Sequence, residues 1–204
     1  PRNAGPHVDQ AAIYEEQGQA DAALQAYRAA LELDSSLASA WIAAGRLEEH
    51  LGNLRTAVDD YSQALRRDPL AAEPLVRRAE LHRRSGDYGR AIADLDVAVR
   101  QGRNDAVVYH TRAACLVALG RARESLADYD RAISLAPKDA SLLHARALAR
   151  MKCGALGKAR EELDAAVRLS HEDALVRLDR GLLLNRIGEP TLAIDDLDFV
   201  LAQR

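Results

Sequence analysis

Residues 41–69 read WIAAGRLEEHLGNLRTAVDDYSQALRRDP, and this stretch decides the fold. From Ala38 to Leu51 the apolar residues Trp41, Ala44, Gly45, Leu47 and Leu51 fall at helical spacing. Gly52-Asn53 then interrupts the pattern, as a helix C-terminus followed by a turn does. A second helix is predicted from about Arg55 to Arg67, carrying Ala57, Val58, Tyr61, Ala64 and Leu65. Asp68-Pro69 ends it, because proline disfavours helical backbone in the residue before it. The unit is a pair of helices joined by a glycine turn.

The same unit recurs along the chain. Gly18, Gly52, Gly86, Gly120, Gly154 and Gly188 are spaced by 34 residues without exception. Five positions after each stands a small residue: Ala23, Ala57, Ala91, Ser125, Ala159 or Ala193. Seven further on come Ala30, Ala64, Ala98, Ala132, Ala166 and Val200, and seven before each glycine come Ala11, Gly45, Ala79, Ala113, Ala147 and Gly181. Small side chains at fixed positions let helix axes approach to about 8–10 Å. Self-similarity at this period marks a repeat architecture, with units 4–37, 38–71, 72–105, 106–139, 140–173 and a shortened 174–204.

In residues 41–69 the succession Trp-x2-Ala-Gly, Gly-Asn-Leu, Ala, Tyr-x2-Ala and Asp-Pro resembles the tetratricopeptide repeat. Six such units in register extend the resemblance from Ala4 to the end of the chain. It implies an all-α fold, a right-handed α-solenoid (superhelix) of antiparallel helix pairs. It also implies a single array over 4–204, with residues 1–3 as an N-terminal leader. Ser35, Arg103 and His171 stand where the family favours proline, and His7 where it favours a bulky residue, so the first repeat is expected to be less regular.

Composition agrees with this class and narrows the partner. Of 204 residues, 48% are hydrophobic and 29% charged, too apolar for a disordered chain and too evenly charged for a membrane span. Aromatic residues make up only 4%, so alanine and leucine, both strong helix formers, carry the apolar fraction. The net charge of −3 runs against nucleic acid, whose phosphates reward a basic excess. An RNA-binding helical repeat would also need stacking aromatics, which are scarce. Cys115 and Cys153 have no metal-type spacing and read as small packed thiols. No glycosylation sequon or signal peptide is present, so an intracellular, cytoplasmic setting is expected.

No H-E-x-x-H, C-x-x-C, G-x-G-x-x-G or G-x-S-x-G motif occurs. Gly154-Ala-Leu-Gly157-Lys158 superficially suggests a phosphate loop, but its first glycine is too near the lysine and no Ser or Thr follows. His110 and His144 occupy equivalent points of adjacent repeats, yet no Cys, Asp or Glu obviously completes a zinc set. The sequence therefore predicts no catalytic residue, no metal and no cofactor.

The resemblance implies a concave groove lined by the first helix of each pair, taking an extended or helical peptide. The candidate groove residues are Ile42, Arg46, Val76, Arg77, Arg83, His110, His144, Leu148, Leu178 and Leu182. Glu15, Glu16 and Glu49 lie in the first two repeats, Arg77, Arg83 and Arg84 in the third, and Val117, Met151 and Lys152 beyond them. The expected ligand carries acidic residues followed by apolar anchors. Chaperone-binding members of the family hold the terminal carboxylate of Hsp70 or Hsp90 in a clamp of lysines, asparagines and an arginine. Here the corresponding positions are Val8, Ala12, Ala43, Glu73 and Arg77, so that tail is excluded. The reading is a non-catalytic protein-interaction scaffold or adaptor, with no membrane role. Its alternatives are a regulatory or substrate-recruiting region of a larger enzyme and, behind that, an RNA-binding repeat.

A charge pattern crosses the repeats. Arg78, Arg112, Arg146 and Arg180 occupy the seventh position of repeats three to six, and Asp60, Asp94, Asp128, Glu162 and Asp196 the twenty-third of repeats two to six. Pairing within a repeat sets Asp60 against Ala44, an acid without a base. Pairing each acid with the arginine of the following repeat (Asp60 with Arg78, and so on) leaves only Asp196 alone, and is the expected register. Ile194, Leu197, Val200 and Leu201 give the last helix no polar outer face. The expectation from both features is a fragment of a longer protein, with end-to-end self-association through residues 191–204 when isolated.

Overall fold

The structure, a computed structural model, describes residues 3–203; Pro1 and Arg2 of the expected leader, and Arg204, lie outside the described residues. The described residues form twelve helices in sequential antiparallel pairs. They fall into two compact units that divide after Arg103. The first holds α1 (Gly5–Glu16), α2 (Ala20–Leu33), α3 (Ala38–His50), α4 (Leu54–Arg67), α5 (Ala72–Arg84) and α6 (Tyr88–Arg100). The second holds α7 (Ala106–Ala118), α8 (Ala122–Leu135), α9 (Ala140–Lys152), α10 (Leu156–Leu169), α11 (Ala174–Arg186) and α12 (Pro190–Ala202). In each unit every helix packs on its hairpin partner, and the second helix of one pair packs on the first of the next. Among the described residues no helix is long and apolar enough to cross a membrane.

The turn within each pair follows from its glycine. At Gly52 φ is +83°, and the Asn53 N–H donates to the Glu48 carbonyl at 2.8 Å, closing a Schellman cap on α3. The backbone repeats this bond at each of the other five glycine turns. The connection to the following pair is instead made by an extended residue at Asp34 and Asp68, and by Ala136 and Ser170 with φ of −136° and −137°.

The positions lacking the family's proline are held by other means. Trp41 donates its indole N–H to the Ser35 carbonyl at 3.0 Å, and Arg177 donates to the His171 carbonyl at 2.8 Å. Both donors are the fourth residue of the following repeat. Near Arg103, α6 ends on Gly102, with φ +83° and its own Schellman bond from the Arg103 N–H to the Ala98 carbonyl.

The small-residue positions are the tightest part of each core. Ala11, Ala79, Ala113, Ala147, Ala23, Ala57, Ala91 and Ala159 are fully buried, as are Ala30, Ala64, Ala98, Ala132 and Ala166. A Cβ at Gly45 would come within 2.7 Å of the Tyr61 ring, itself fully buried, so the missing methyl makes room for the aromatic.

The charge ladder corrects the sequence reading, because the acid–arginine pairs form within repeats. Arg78 forks onto Asp94 at 2.8 and 2.6 Å, Arg112 onto Asp128 at 2.8 and 2.5 Å, and Arg180 onto Asp196 at 2.7 Å through both nitrogens. Arg146 pairs with Glu162 at 2.5 Å. The two positions are 16 residues apart and face each other across one antiparallel hairpin. The remaining guanidinium nitrogen reaches the preceding pair: Arg78 donates to Ser62 at 2.8 Å, Arg180 to Asp164 at 3.0 Å, and Arg146 to Asp130.

Asp60 is not left without a base. Arg28, from the preceding repeat, donates to both its oxygens at 2.6 Å and to Glu48 at 3.0 Å. The arginine has moved to the position that Ser62 fills one repeat later: position 25 of the first repeat supplies what Ala44 lacks. Asp196, expected to be alone, is fully buried against Arg180 and Arg177, so the argument it carried for a missing helix fails. Of the four apolar residues read on the last helix, Ile194 and Leu201 are exposed, while Leu197 and Val200 are half-buried.

Candidate functional site

The ladder occupies charges between helices, and further polar side chains are arrayed along the first helices of the pairs. In the first unit two relays repeat there. Tyr27 donates to Glu15 at 2.6 Å, and Glu15 accepts from Arg46 of the next repeat at 3.0 Å. One repeat on, Tyr61 donates to Glu49 at 3.0 Å, and Arg77 of the next repeat approaches Glu49 at 3.7 Å. Burial, then the Glu15 carboxylate, push the Tyr27 hydroxyl up to about 12. Burial and Glu49 push Tyr61 up as well, so both phenols remain donors at neutral pH. In the third repeat the acid and tyrosine positions hold Arg83 and Leu95, and the relay stops.

Where it stops, an open cavity of about 410 Å³ is lined by Arg46, Glu49, His50, Arg77 and Arg84. Arg46 and His50 are one turn apart on α3, and Arg77 and Arg84 two turns apart on α5, so each pair shares a helix face.

The sequence-predicted residues divide between this surface and the core. Arg46 and Arg77 line the cavity. Arg83 forks instead onto Glu80 of its own helix at 2.8 and 2.7 Å. Ile42 flanks the core cluster of Ala57, Tyr61 and Leu81, and Val76 flanks that of Leu65, Leu75 and Ala98. In the second unit, the His110 ring sits tilted beside Tyr129 at 6.0 Å between centroids. The His144 Nε2 lies 2.6 Å from Asp179 Oδ2, joining α9 to α11. Leu148 and Leu178 are half-buried, and Leu182 is 53% exposed. The sequence reading missed Tyr27, Tyr61, His50 and Asp179. The signal available for the tyrosines was an acid at the twelfth position coupled with Tyr at the twenty-fourth, in the first two repeats only.

Among the described residues no three His, Cys, Asp or Glu side chains are grouped to hold a metal. Cys115 is buried and Cys153 half-buried at the end of α9. In the Gly154 turn the Ala155 N–H is bonded to the Arg150 carbonyl at 2.9 Å, the ordinary cap, and does not face a phosphate.

Two family descriptions of a tetratricopeptide repeat match the chain, one over residues 43–106 and the other over 7–37 and 106–139. No curated protein matches it in sequence. Among solved structures, YrrB, titled as a tetratricopeptide-repeat protein with an unusual peptide-binding site, is 20% identical with a TM-score of 0.76, covering 88% of this chain and 92% of its own. A tetratricopeptide-repeat protein from Parabacteroides merdae is 16% identical with a TM-score of 0.82, covering 98% and 79%. MamA from Desulfovibrio magneticus is 21% identical with a TM-score of 0.78, covering 81% and 93%. At these identities the likeness is one of fold.

Proposed function

We propose, for a chain that belongs to the tetratricopeptide-repeat family, that the faces of its first helices bind a peptide segment of another protein. On this reading the chain is a non-catalytic interaction scaffold or adaptor. One observation carries the reading. The half-buried arginines between helices fork onto carboxylates, whereas Arg46 and Arg77, each beside a single carboxylate and more exposed, and Arg84 line one open cavity. Side chains that contribute little to folding and project together from a rigid framework are what recognition uses. The peptide-binding site named for YrrB supports the same use of this fold. A ligand with acidic residues suits the first unit, and apolar anchors suit Leu178 and Leu182 of the second.

Site-specific photo-crosslinking tests the proposal. A benzophenone side chain at Arg46 or Leu182 should yield partner adducts, and one at Gln25 or Glu161, exposed on the second helices, should not. Adducts from the second helices alone would refute it.

A further inference from the structure

We infer that Arg46, Arg77 and Arg84, with His50 at their edge, form a receptor for two carboxylates of a bound peptide. The inference rests on the peptide-binding reading above and assigns the chemistry of one subsite.

The cavity holds three guanidinium groups against the single carboxylate of Glu49. That carboxylate is already engaged by the Tyr61 hydroxyl at 3.0 Å, and its distance of 3.7 Å to Arg77 is too long for a directed hydrogen bond. Arg46 spends one nitrogen on Glu15. Among the described residues Arg84 has no ion-pair partner, and it is exposed. Each guanidinium carries five N–H donors, so most of the donors around this cavity face solvent. The ladder sets the contrast: Arg28 and Arg180 each deliver three or more bonds to carboxylate oxygens.

Arg84 lies in the last turn of α5, where a cation complements the helix dipole. That accounts for its sign. It does not account for Arg46 and Arg77, which reach the same cavity from mid-helix positions on two different helices.

With Glu15 on Arg46 and Glu49 beside Arg77 the three arginines keep a net positive charge, and their unspent N–H donors suffice for two carboxylates. Guanidinium forks match planar carboxylates in pairs of parallel bonds. An extended peptide points alternate side chains the same way, about 7 Å apart, so an acid-x-acid segment brings both carboxylates to one side. The pocket walls are protein on two helices, which strengthens the field at an anion relative to open solvent.

The test uses the intact chain and a fluorescein-labelled, leucine-flanked Glu-Ala-Glu peptide, read by anisotropy at low salt. Binding should weaken tenfold or more in Arg84→Gln, further in Arg77→Glu with Arg84→Glu, and tenfold or more when the peptide is changed to Gln-Ala-Gln. Far-UV circular dichroism should be unchanged in every variant. Equal affinity for the two peptides, or for Arg84→Gln and the parent, overturns the assignment, as does failure of the acidic peptide to bind at millimolar concentration. Tighter binding of a single phosphoserine than of Glu-Ala-Glu overturns it too, in favour of a tetrahedral anion. Crosslinking from Arg46 and Leu182 that persists through any of these failures leaves the peptide-binding reading standing and removes only this subsite.

Discussion

Arg28→Ala should be among the most damaging single changes in the first unit. It removes three hydrogen bonds and leaves two carboxylates without a cation, Asp60 with its side chain 4% exposed and Glu48 with its side chain 8% exposed. Breaking a buried ion pair by deleting one partner costs about 3–5 kcal/mol. The Arg28 side chain is itself 32% exposed, so water can enter the space it leaves, and the lower end, about 3 kcal/mol, is expected. Burial already pushes the Asp60 carboxyl up, against the pull of Arg28. A carboxyl whose pKa is raised by folding gains stability as pH falls through its folded value. Without Arg28 that value rises further, so the deficit should be largest at neutral pH and shrink on acidification. Urea denaturation measures the loss, with Trp41, the single tryptophan, as a local probe 5.7 Å from the Arg28 guanidinium. Arg28→Ser with Ala44→Arg should recover most of it, by recreating the Ser62–Arg78–Asp94 arrangement one repeat earlier. A cost under about 0.5 kcal/mol, the value of an exposed pair, or a double variant no more stable than Arg28→Ala, would refute the reasoning.

Gly45→Ala should destabilise more than Gly181→Ala by about 1–3 kcal/mol in chemical denaturation. The first new methyl meets a buried tyrosine ring at 2.7 Å and the second a leucine side chain at 3.3 Å. His82 is buried among Arg78, Asp87, Arg90 and Asp94, and burial lowers its pKa. The unfolded chain therefore binds the proton more readily, and stability should fall as pH drops through about 6.5. His82→Leu, which copies Leu116 and Leu184 at the same repeat position, should flatten that part of the pH–stability curve, whereas an unaltered slope would exclude His82 as its source.

How much was legible from sequence differed between backbone and charges. The 34-residue spacing located the helix pairs, and the helices predicted at Ala38–Leu51 and Arg55–Arg67 are observed at Ala38–His50 and Leu54–Arg67. Glycine turns and small-residue contacts are local or strictly periodic, so one repeat teaches the rest. The end of α6 escaped because Gly102 does there what proline does elsewhere, outside the 34-residue series. The acid–arginine register escaped for a different reason. Asp60 opposite Ala44 looked like evidence against pairing within repeats, whereas the guanidinium of Arg28 reaches Asp60 across the interface from one repeat earlier. A long side chain can exchange sides of an interface while its charge stays in place, and residue spacing does not record that. For the candidate site, adjacent Arg83 and Arg84 were indistinguishable by composition. Only the fold shows that Glu80 takes Arg83 and that Arg84 lines the cavity.

The central claim is that the first-helix faces recognise a partner. Its most direct measurement is the dissociation constant of the crosslinked partner segment for three proteins: the parent, a first-helix variant at the two crosslinking positions (Arg46→Glu with Leu182→Glu), and a second-helix variant (Gln25→Lys with Glu161→Lys). The account predicts at least a tenfold loss, about 1.4 kcal/mol, in the first-helix variant alone, with all three melting together. Undiminished affinity there, or a loss confined to the second-helix variant, would contradict it.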